Sequence, residues 1–160
     1  METLCNMSSH EGLLKLLRVG EKLKLWLGLA EDWNNTNSQE SESAAPGSGV
    51  TEAFLTARAA AGTLAGAAGD AAVAEAMVKE DCARTVVALL ESENKELVHR
   101  ALVIVLELLS HNKKEYAAHL MGGGVIPCIG LVTKLGEPHL AELAMNCAKA
   151  LSEQLKEQKS

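Results

Sequence analysis

Between Leu97 and Leu109 the sequence reads LVHRALVIVLELL, and this stretch decides the fold class. Its apolar residues surround nearly the whole circumference of a helix instead of forming one stripe. A helix that is apolar on nearly every side has to be covered by other helices on several sides. The stretch therefore predicts a helix enclosed between neighbouring helical units.

The residues on either side of this stretch follow one plan of three helices, a short one, a second one and a long third one. We predict that the plan occurs twice in succession. The predicted helices are, in chain order, Ala71–Lys79, Cys82–Glu91, Lys95–Ser110, Lys113–Met121, Val125–Leu135 and His139–Gln158. The glycines at 122–124 allow a sharp bend between two of them, while Gly136 and Pro138 are typical of a helix end and a helix start.

Leucine-led segments that close the long helices indicate the length of the repeat. They begin at Leu4, Leu64, Leu106 and Leu151, so the intervals are 60, 42 and 45 residues. Subtracting a loop of about 16–18 residues from the first interval leaves a period in the forties, as in armadillo and HEAT repeats. Three helices per unit favour the armadillo form. We expect an all-α, armadillo-type right-handed α-solenoid of about three repeats.

The charge distribution marks a boundary within the chain. No basic residue lies between Lys24 and Arg58, whereas five acidic residues do, and residues 34–49 read NNTNSQESESAAPGSG. Such a composition has almost nothing to bury. We therefore predict a partial repeat over residues 1–33, a disordered acidic loop over 34–52 and armadillo-like repeats over 53–160.

The two ends of the predicted array differ. The last helix has one apolar stripe, namely Leu140, Leu143, Ala144, Cys147, Leu151 and Leu155, which is typical of an amphipathic capping helix. The N-terminal segment starts in the middle of a unit and should leave apolar surface bare. We expect the chain to be the C-terminal part of a longer repeat protein, or a truncated product of one, and to self-associate through its N-terminal repeat.

The composition argues against several kinds of partner. A net charge of −6 gives no electrostatic basis for binding nucleic acid or an anionic membrane. The sequence has no apolar run long enough for a bilayer span and no secretory signal, which predicts a cytoplasmic protein. We interpret the four cysteines as small buried apolar residues, with a disulfide or a metal site as the alternative.

No motif predicts a catalytic centre, a metal site or a cofactor, so we expect a binding protein and not an enzyme. Some armadillo proteins bind extended peptides with a ladder of Asn side chains, but here the ladder positions read Asn6, Gly66, Leu108 and Glu153. A folded surface or a short segment is therefore the expected ligand. Candidate contacts on the third helices, each with a structural ion pair or packing role as the alternative, are Asn6, Arg58, His99, Arg100, Glu107 and Asn146.

Four stretches together resemble one known family. They are LCNM at Leu4–Met7, GEKLKLWLGLAED at Gly20–Asp32, ARAAAGTLAGA at Ala57–Ala67 and ELVHRALVIVLELL at Glu96–Leu109. In this order they resemble the last repeats of the UCS-domain myosin chaperones, the Unc-forty-five/Cro/She family. The most specific part is the H-R-x-L-V-I run at His99–Ile104.

The resemblance implies a function that composition could not indicate. In this family an armadillo-like domain binds the myosin motor domain and assists its folding and assembly. In animal members a tetratricopeptide domain recruits the 90-kDa heat-shock chaperone, but this chain has no tetratricopeptide motif. The expected partner is thus the myosin heavy chain motor domain. The alternatives are a generic armadillo adaptor without a chaperone role and a truncated structural end-cap.

Overall fold

The computed structural model of the chain describes residues 10–34 and 51–156, apart from the side chain of Leu155. Within these ranges the chain forms α-helices joined by turns and contains no strand. The helices are α1 (Glu11–Leu17), α2 (Gly20–Glu31), α3 (Glu52–Ala67), α4 (Ala71–Lys79), α5 (Cys82–Glu91), α6 (Lys95–Ser110), α7 (Lys114–Gly122), α8 (Val125–Val132) and α9 (Pro138–Lys156), with a 3₁₀ turn at Thr133–Leu135. The predicted all-α class is confirmed.

The long helices recur at a constant interval. The helices α3, α6 and α9 begin at Glu52, Lys95 and Pro138, which are 43 positions apart. The starts of α4 and α7, and of α5 and α8, differ by the same 43 positions. Each long helix packs against the next one, α3 on α6 and α6 on α9, while α2 packs on α5 and α5 on α8. Equivalent positions in successive units can therefore be found by adding 43.

The predicted helix boundaries agree closely with the observed ones. The three helices of the middle unit, α4–α6, have the predicted ends. One predicted helix is shorter than expected, since α8 ends at Val132 and the 3₁₀ turn follows it. The chain then reverses at Gly136, whose φ of 72° lies in the left-handed region that glycine adopts without strain.

The repeat register taken from the leucines is wrong by one or two residues. With a step of 43, Leu64 corresponds to Glu107 and not to Leu106. Leu64 and Leu151 are buried, whereas Leu106 is only partly buried. The reason is that α6 is apolar on nearly every side, so its leucines occur on more than one face and do not define a register. The first leucine segment, Leu4–Ser8, lies outside the described residues.

Local hydrogen bonds define several helix starts. Asp70 caps α4 by accepting from the backbone N–H groups of Ala72 and Val73, and Asn94 caps α6 in the same way. Asp70 also accepts two hydrogen bonds from Arg18, at 2.7 and 3.2 Å, which joins the end of α1 to the start of α4. This guanidinium holds the pKa of the Asp70 carboxyl below its usual value.

The N-terminus of α5 is capped by a residue of the following unit. The N–H of Ala83 donates to Nε2 of His119, on α7, over 3.2 Å. The residue before α5, Asp81, has a φ of 60°, and its equivalent 43 positions later is Gly124, with a φ of 83°. The same left-handed bend thus precedes α5 and α8, with glycine at only one of the two sites.

The three consecutive glycines at the α7–α8 bend differ in what they contribute. Gly122 is the last residue of α7, and of the three glycines only Gly124 has a positive φ at the predicted bend. Gly123 has an ordinary φ of −77°, but a Cβ at this position would overlap the Cβ of Ala83 on α5. Gly123 is therefore needed for close packing between units and not for the backbone conformation.

The core runs along the whole array. Helix α6 buries eight residues and contacts α3, α5, α7 and α9, which confirms the prediction of an enclosed helix. Helix α3 contributes mainly alanines to the core, and such small side chains let α2 and α6 approach it closely. Three cysteines, Cys82, Cys128 and Cys147, are free and buried, as predicted, while Cys5 lies outside the described residues.

The predicted apolar stripe of α9 is buried at Leu140, Ala144, Cys147 and Leu151. The amphipathic pattern predicted a polar opposite side for this helix. That side is less polar than predicted, because the side chain of Met145 is 65% exposed there. Burial against α6 and α8 accounts for the stripe, but no other helix of the described residues covers Met145.

The predicted acidic loop falls almost wholly on residues outside the described ranges, although Glu52 belongs to α3. In the described parts of the chain, no helix by itself has the length and apolar character for a bilayer span. Helices α7 and α8 meet those two criteria only when taken as a pair, and that pair is bent by 77°.

Candidate protein-binding surface

Helices α6 and α9 pack side by side, and each leaves part of one face exposed to solvent. On α6 the partly exposed residues between its first and last turns are His99, Arg100, Val103, Leu106 and Glu107. These positions follow the i, i+1, i+4, i+7, i+8 pattern of one helix face. We call this face, with the exposed neighbouring residues of α9, the third-helix surface. The equivalent positions of α3 are buried, namely Ala57, Ala60, Thr63 and Leu64. Because α6 is otherwise enclosed, this face is the part of α6 that can meet a partner.

Three of the predicted contact residues share this face of α6. His99 and Arg100 lie on its second turn, and Glu107 lies about 12 Å further along the helix axis. Asn146, on α9, is exposed and occupies the position equivalent to Val103. The structure thus places His99, Arg100, Glu107 and Asn146 at positions compatible with one extended contact area, while Asn6 lies outside the described residues.

Arg58 has a structural partner. Its Nη1 lies 3.4 Å from Oε2 of Glu96, so the pair joins α3 to the first turn of α6. Its side chain is 37% exposed, and an ion pair with this much solvent access contributes little to stability. The ion pair between successive units that we considered for Arg100 and Glu107 is thus observed for Arg58.

A pair of stacked imidazoles lies at the end of the surface formed by the start of α6 and the start of α9. The rings of His99 on α6 and His139 on α9 have centroids 5.7 Å apart and an interplanar angle of 26°. Partial burial lowers the pKa of His99, and the positive charges of Arg100 and His139 lower it further. His99 is therefore mainly neutral at pH 7, when it can both donate and accept a hydrogen bond.

The opposite end of the surface contains a polar cleft between α6 and α9. Its volume is about 270 Å³, and its lining includes Leu106, Ser110, Glu153 and Gln154. The Nε2 of Gln154 donates to the carbonyl of Leu109 over 3.0 Å, which fixes the end of α9 on α6.

An equivalent hydrogen bond fixes α6 on α3. Nε2 of His111, which stands 43 positions before Gln154, donates to the carbonyl of Ala68 over 2.9 Å. The carboxylate of Glu107 approaches the turn after α3, because its Oε2 would lie 3.2 Å from a Cβ on Gly69. Successive third helices are therefore held at a defined spacing at this end of the surface.

The proposed ladder positions are not equivalent in the structure. Gly66 and Glu153 are exposed, but Leu108 is fully buried in the core. These errors of one and two residues come from the leucine alignment described above. Gly66, Leu108 and Glu153 therefore do not form a row that could face a peptide backbone.

Sequence reasoning missed Glu96, His139 and Gln154, which hold neighbouring units together. With a period of 43, His139 is equivalent to Glu96, which lies one helical turn before His99. The sequence alone suggested intervals of 42 and 45, so this relation was not visible from the leucines.

The buried thiols of Cys82 and Cys147 lie on α5 and α9. Burial raises the pKa of the Cys82 and Cys147 thiols to about 12, so both are protonated at neutral pH. Within residues 10–34 and 51–156, no three His, Cys, Asp or Glu side chains are grouped so that they could hold a metal ion.

The fold and this surface define an all-α protein in which long helices recur at a constant interval and two of them, α6 and α9, expose partly polar faces. Comparisons with protein-family models, with curated proteins and with solved structures found no match. The resemblance to the UCS-domain family therefore remains a prediction from the sequence motifs.

Proposed function

We propose that the chain is a protein-binding module of the armadillo type, a right-handed α-solenoid that holds its partner on the third-helix surface. The observation that carries this proposal is the single partly exposed stripe of α6, from His99 to Glu107, on a helix otherwise enclosed by its neighbours. A recurring interval of 43 positions and the packing of each long helix on the next support the solenoid.

The chemistry of the surface suits a folded partner or a short segment. Val103 and Leu106 provide apolar contact in the centre of the stripe, with His99, Arg100 and Glu107 on either side. Apolar centres with polar margins are typical of protein interfaces, in which arginine is enriched. Binding of this kind needs no nucleotide, cofactor or covalent step.

The partner that we propose is the myosin heavy chain motor domain, with the chain acting as part of a cytoplasmic, myosin-directed co-chaperone. This step rests on the resemblance of four stretches to the UCS-domain family, and its most specific part, His99–Ile104, begins on the third-helix surface. A chaperone of this type lowers the population of aggregating states by covering exposed apolar surface of its client. The 90-kDa heat-shock chaperone is proposed as a partner only of longer family members.

The test is heat-induced aggregation of a purified myosin motor domain with the full chain present or absent. We expect suppression of light scattering by the chain, and at least about tenfold weaker binding to the motor domain for Arg100→Glu. The matched control is Lys79→Glu, which makes the same charge change at an exposed position on α4. Circular dichroism checks that both variants keep the helical fold.

Absence of suppression by the unmodified chain, with no binding to the motor domain, would contradict the co-chaperone proposal. If the chain then retains another protein from muscle extract, and Arg100→Glu abolishes this binding, the chain is better explained as a generic adaptor. Equal losses for Arg100→Glu and Lys79→Glu would argue against the third-helix surface as the binding site.

A further inference from the structure

Arg100 differs from the other arginines of the chain in its lack of an ion-pair partner. The chain has four arginines, and the structure describes all of them. Arg18, Arg58 and Arg84 each form an ion pair with a carboxylate, at N–O distances of 2.7–3.4 Å. Within the described residues neither a carboxylate nor another hydrogen-bond acceptor is paired with Arg100, although its side chain is partly buried. A partly buried charge without a counter-ion is unfavourable, so a carboxylate supplied from outside the chain would stabilise it.

The carboxylates of the chain at this end of the third-helix surface are paired with other cations. Glu96 lies four positions before Arg100 on α6, which is the spacing of a helical ion pair. It pairs instead with Arg58 on α3, at 3.4 Å. Glu137, just before α9, pairs with Lys95 in the first turn of α6. The guanidinium of Arg100 therefore keeps its hydrogen-bond donors for a partner.

The long helices on either side place no ionisable side chain at the position equivalent to Arg100. With the step of 43 these positions are Ala57 on α3, which is fully buried, and Leu143 on α9, which is partly buried. Glu142 precedes Leu143 and is exposed, but it forms no ion pair with Arg100 in the part of the chain that the structure describes. A carboxylate bound to Arg100 would lie among mostly apolar positions, where charge-assisted hydrogen bonds are stronger than in water.

The apolar residues of the stripe indicate what accompanies this carboxylate. Val103 and Leu106 lie one and two turns after Arg100, about 4.5 and 9 Å further along the axis of α6. A helix presents the side chains of one face every three or four residues, at intervals of about 4.5–6 Å. An extended strand presents them about 7 Å apart. A helix packed along α6 therefore matches the spacing of the stripe better than a strand does.

We propose that Arg100 binds a carboxylate of the partner, and that this carboxylate belongs to a helix whose next turns place apolar side chains on Val103 and Leu106. The planar guanidinium can donate two parallel hydrogen bonds to one carboxylate. This inference rests on the proposed binding role of the third-helix surface and names the chemistry of its partner. It does not require that the partner is myosin.

The test uses two fluorescently labelled, alanine-based helical peptides and the full chain. One peptide has a Glu followed by Leu three and seven positions later, and the other has Gln in place of that Glu. Fluorescence anisotropy at about 0.15 M salt should show at least about fivefold tighter binding of the Glu peptide. Because the whole chain has a net charge of −6, non-specific electrostatics would favour the Gln peptide. In Arg100→Gln the preference for the Glu peptide should disappear.

Two further variants serve as controls. Arg84→Gln makes the same change on α5, at an arginine whose side chain is 78% exposed, and should leave the preference intact. Arg100→Lys keeps the charge but loses the planar fork, so it should retain only part of the preference. Circular dichroism checks that each variant keeps its helical content.

Equal binding of the two peptides to the unmodified chain would overturn the proposal, as would no binding of either at up to about 1 mM. A third peptide has phosphoserine in place of the Glu. If it binds and the Glu peptide does not, the surface recognises phosphorylated partners, and the carboxylate proposal is wrong.

The peptides also separate this inference from the proposed function. A preference for the Glu peptide that depends on Arg100, without binding of the myosin motor domain, contradicts only the co-chaperone proposal. Binding of the motor domain that depends on Arg100, without a preference between the peptides, contradicts only the inference about the carboxylate.

Discussion

Gly123 shows how a single residue can be constrained by packing between units. Its φ is ordinary, and the chain could accept any residue at this position if only the local backbone mattered. The restriction comes from Ala83, which belongs to the preceding unit and lies against the missing side chain. Two small residues therefore allow the α7–α8 bend to sit directly on the start of α5, where His119 also caps the helix.

Substitution Gly123→Ala should destabilise the protein by about 1–3 kcal/mol, because the added methyl group has to displace α5 or the bend. The measurement is the free energy of unfolding from urea titration followed by tryptophan fluorescence. The matched control is Gly122→Ala, where an added Cβ meets nothing within 4 Å. That control should be neutral or stabilising by up to about 1 kcal/mol, since Gly122 is helical. Equal effects of the two substitutions would contradict the packing explanation.

Helix α6 connects the fold and the proposed binding surface. Its buried residues contact helices on several sides, and its remaining stripe contains His99, Arg100 and Glu107. The contact of His99 with His139 is part of the interface between α6 and α9, so the protonation of His99 affects how these two helices pack.

The lowered pKa of His99 predicts a loss of stability in mild acid. Its folded-state pKa lies below the ordinary 6.5, so the unfolded chain binds the proton more readily than the folded protein. The stability associated with neutral His99 is complete above pH 6.5 and decreases as the pH falls through the folded-state pKa. Substitution His99→Gln should therefore flatten this part of the stability profile, measured by urea unfolding at several pH values below 6.5.

His139→Gln is the informative comparison for this pH dependence. It removes one of the positive charges that lower the pKa of His99 but keeps the burial and Arg100, which act in the same direction. The pH dependence of this variant should lie between those of the unmodified chain and His99→Gln. A profile for His99→Gln identical to that of the unmodified chain would exclude His99 as the group responsible.

At the scale of the whole molecule, the connection between α2 and α3 is much longer than the equivalent connection between α5 and α6. Residues 32–51 join α2 to α3, whereas Ser92–Asn94 are enough to join α5 to α6 in the equivalent position. The start of the longer connection is held on α5, because Nε1 of Trp33 donates to the carbonyl of Ala88 over 3.0 Å. Glu31, just before it, accepts a hydrogen bond from Thr85 over 2.7 Å.

Deletion of residues 36–49 should preserve the fold and raise the free energy of unfolding by about 1 kcal/mol, because closing a shorter loop costs less entropy. Urea unfolding followed by the fluorescence of Trp26 and Trp33 measures this change. A variant with a Gly/Ser linker of the original length in place of residues 36–49 is the control and should match the unmodified chain. A marked loss of stability in both variants would mean that the replaced residues contribute contacts of their own.

The sequence by itself determined the all-α class and most helix boundaries, because these depend on local signals. Gly136 predicted a helix end, and the all-round apolar pattern of α6 predicted its enclosure. The structure adds that Asp70 and Asn94 cap the helices whose starts were predicted at Ala71 and Lys95. The candidate contacts His99, Arg100 and Glu107 were also found from the sequence, since residues at these spacings share one helix face.

Only the tertiary structure decided the register between units and the partners across them. The stacking of His99 on His139, the ion pair of Arg58 with Glu96 and the packing of Gly123 on Ala83 all join residues that are distant in the sequence. In a helix whose leucines lie on several faces, the sequence pattern does not fix which residue faces which neighbour. The relative rotation and shift of packed helices fix it, and these are set by the fit of side chains across their interfaces.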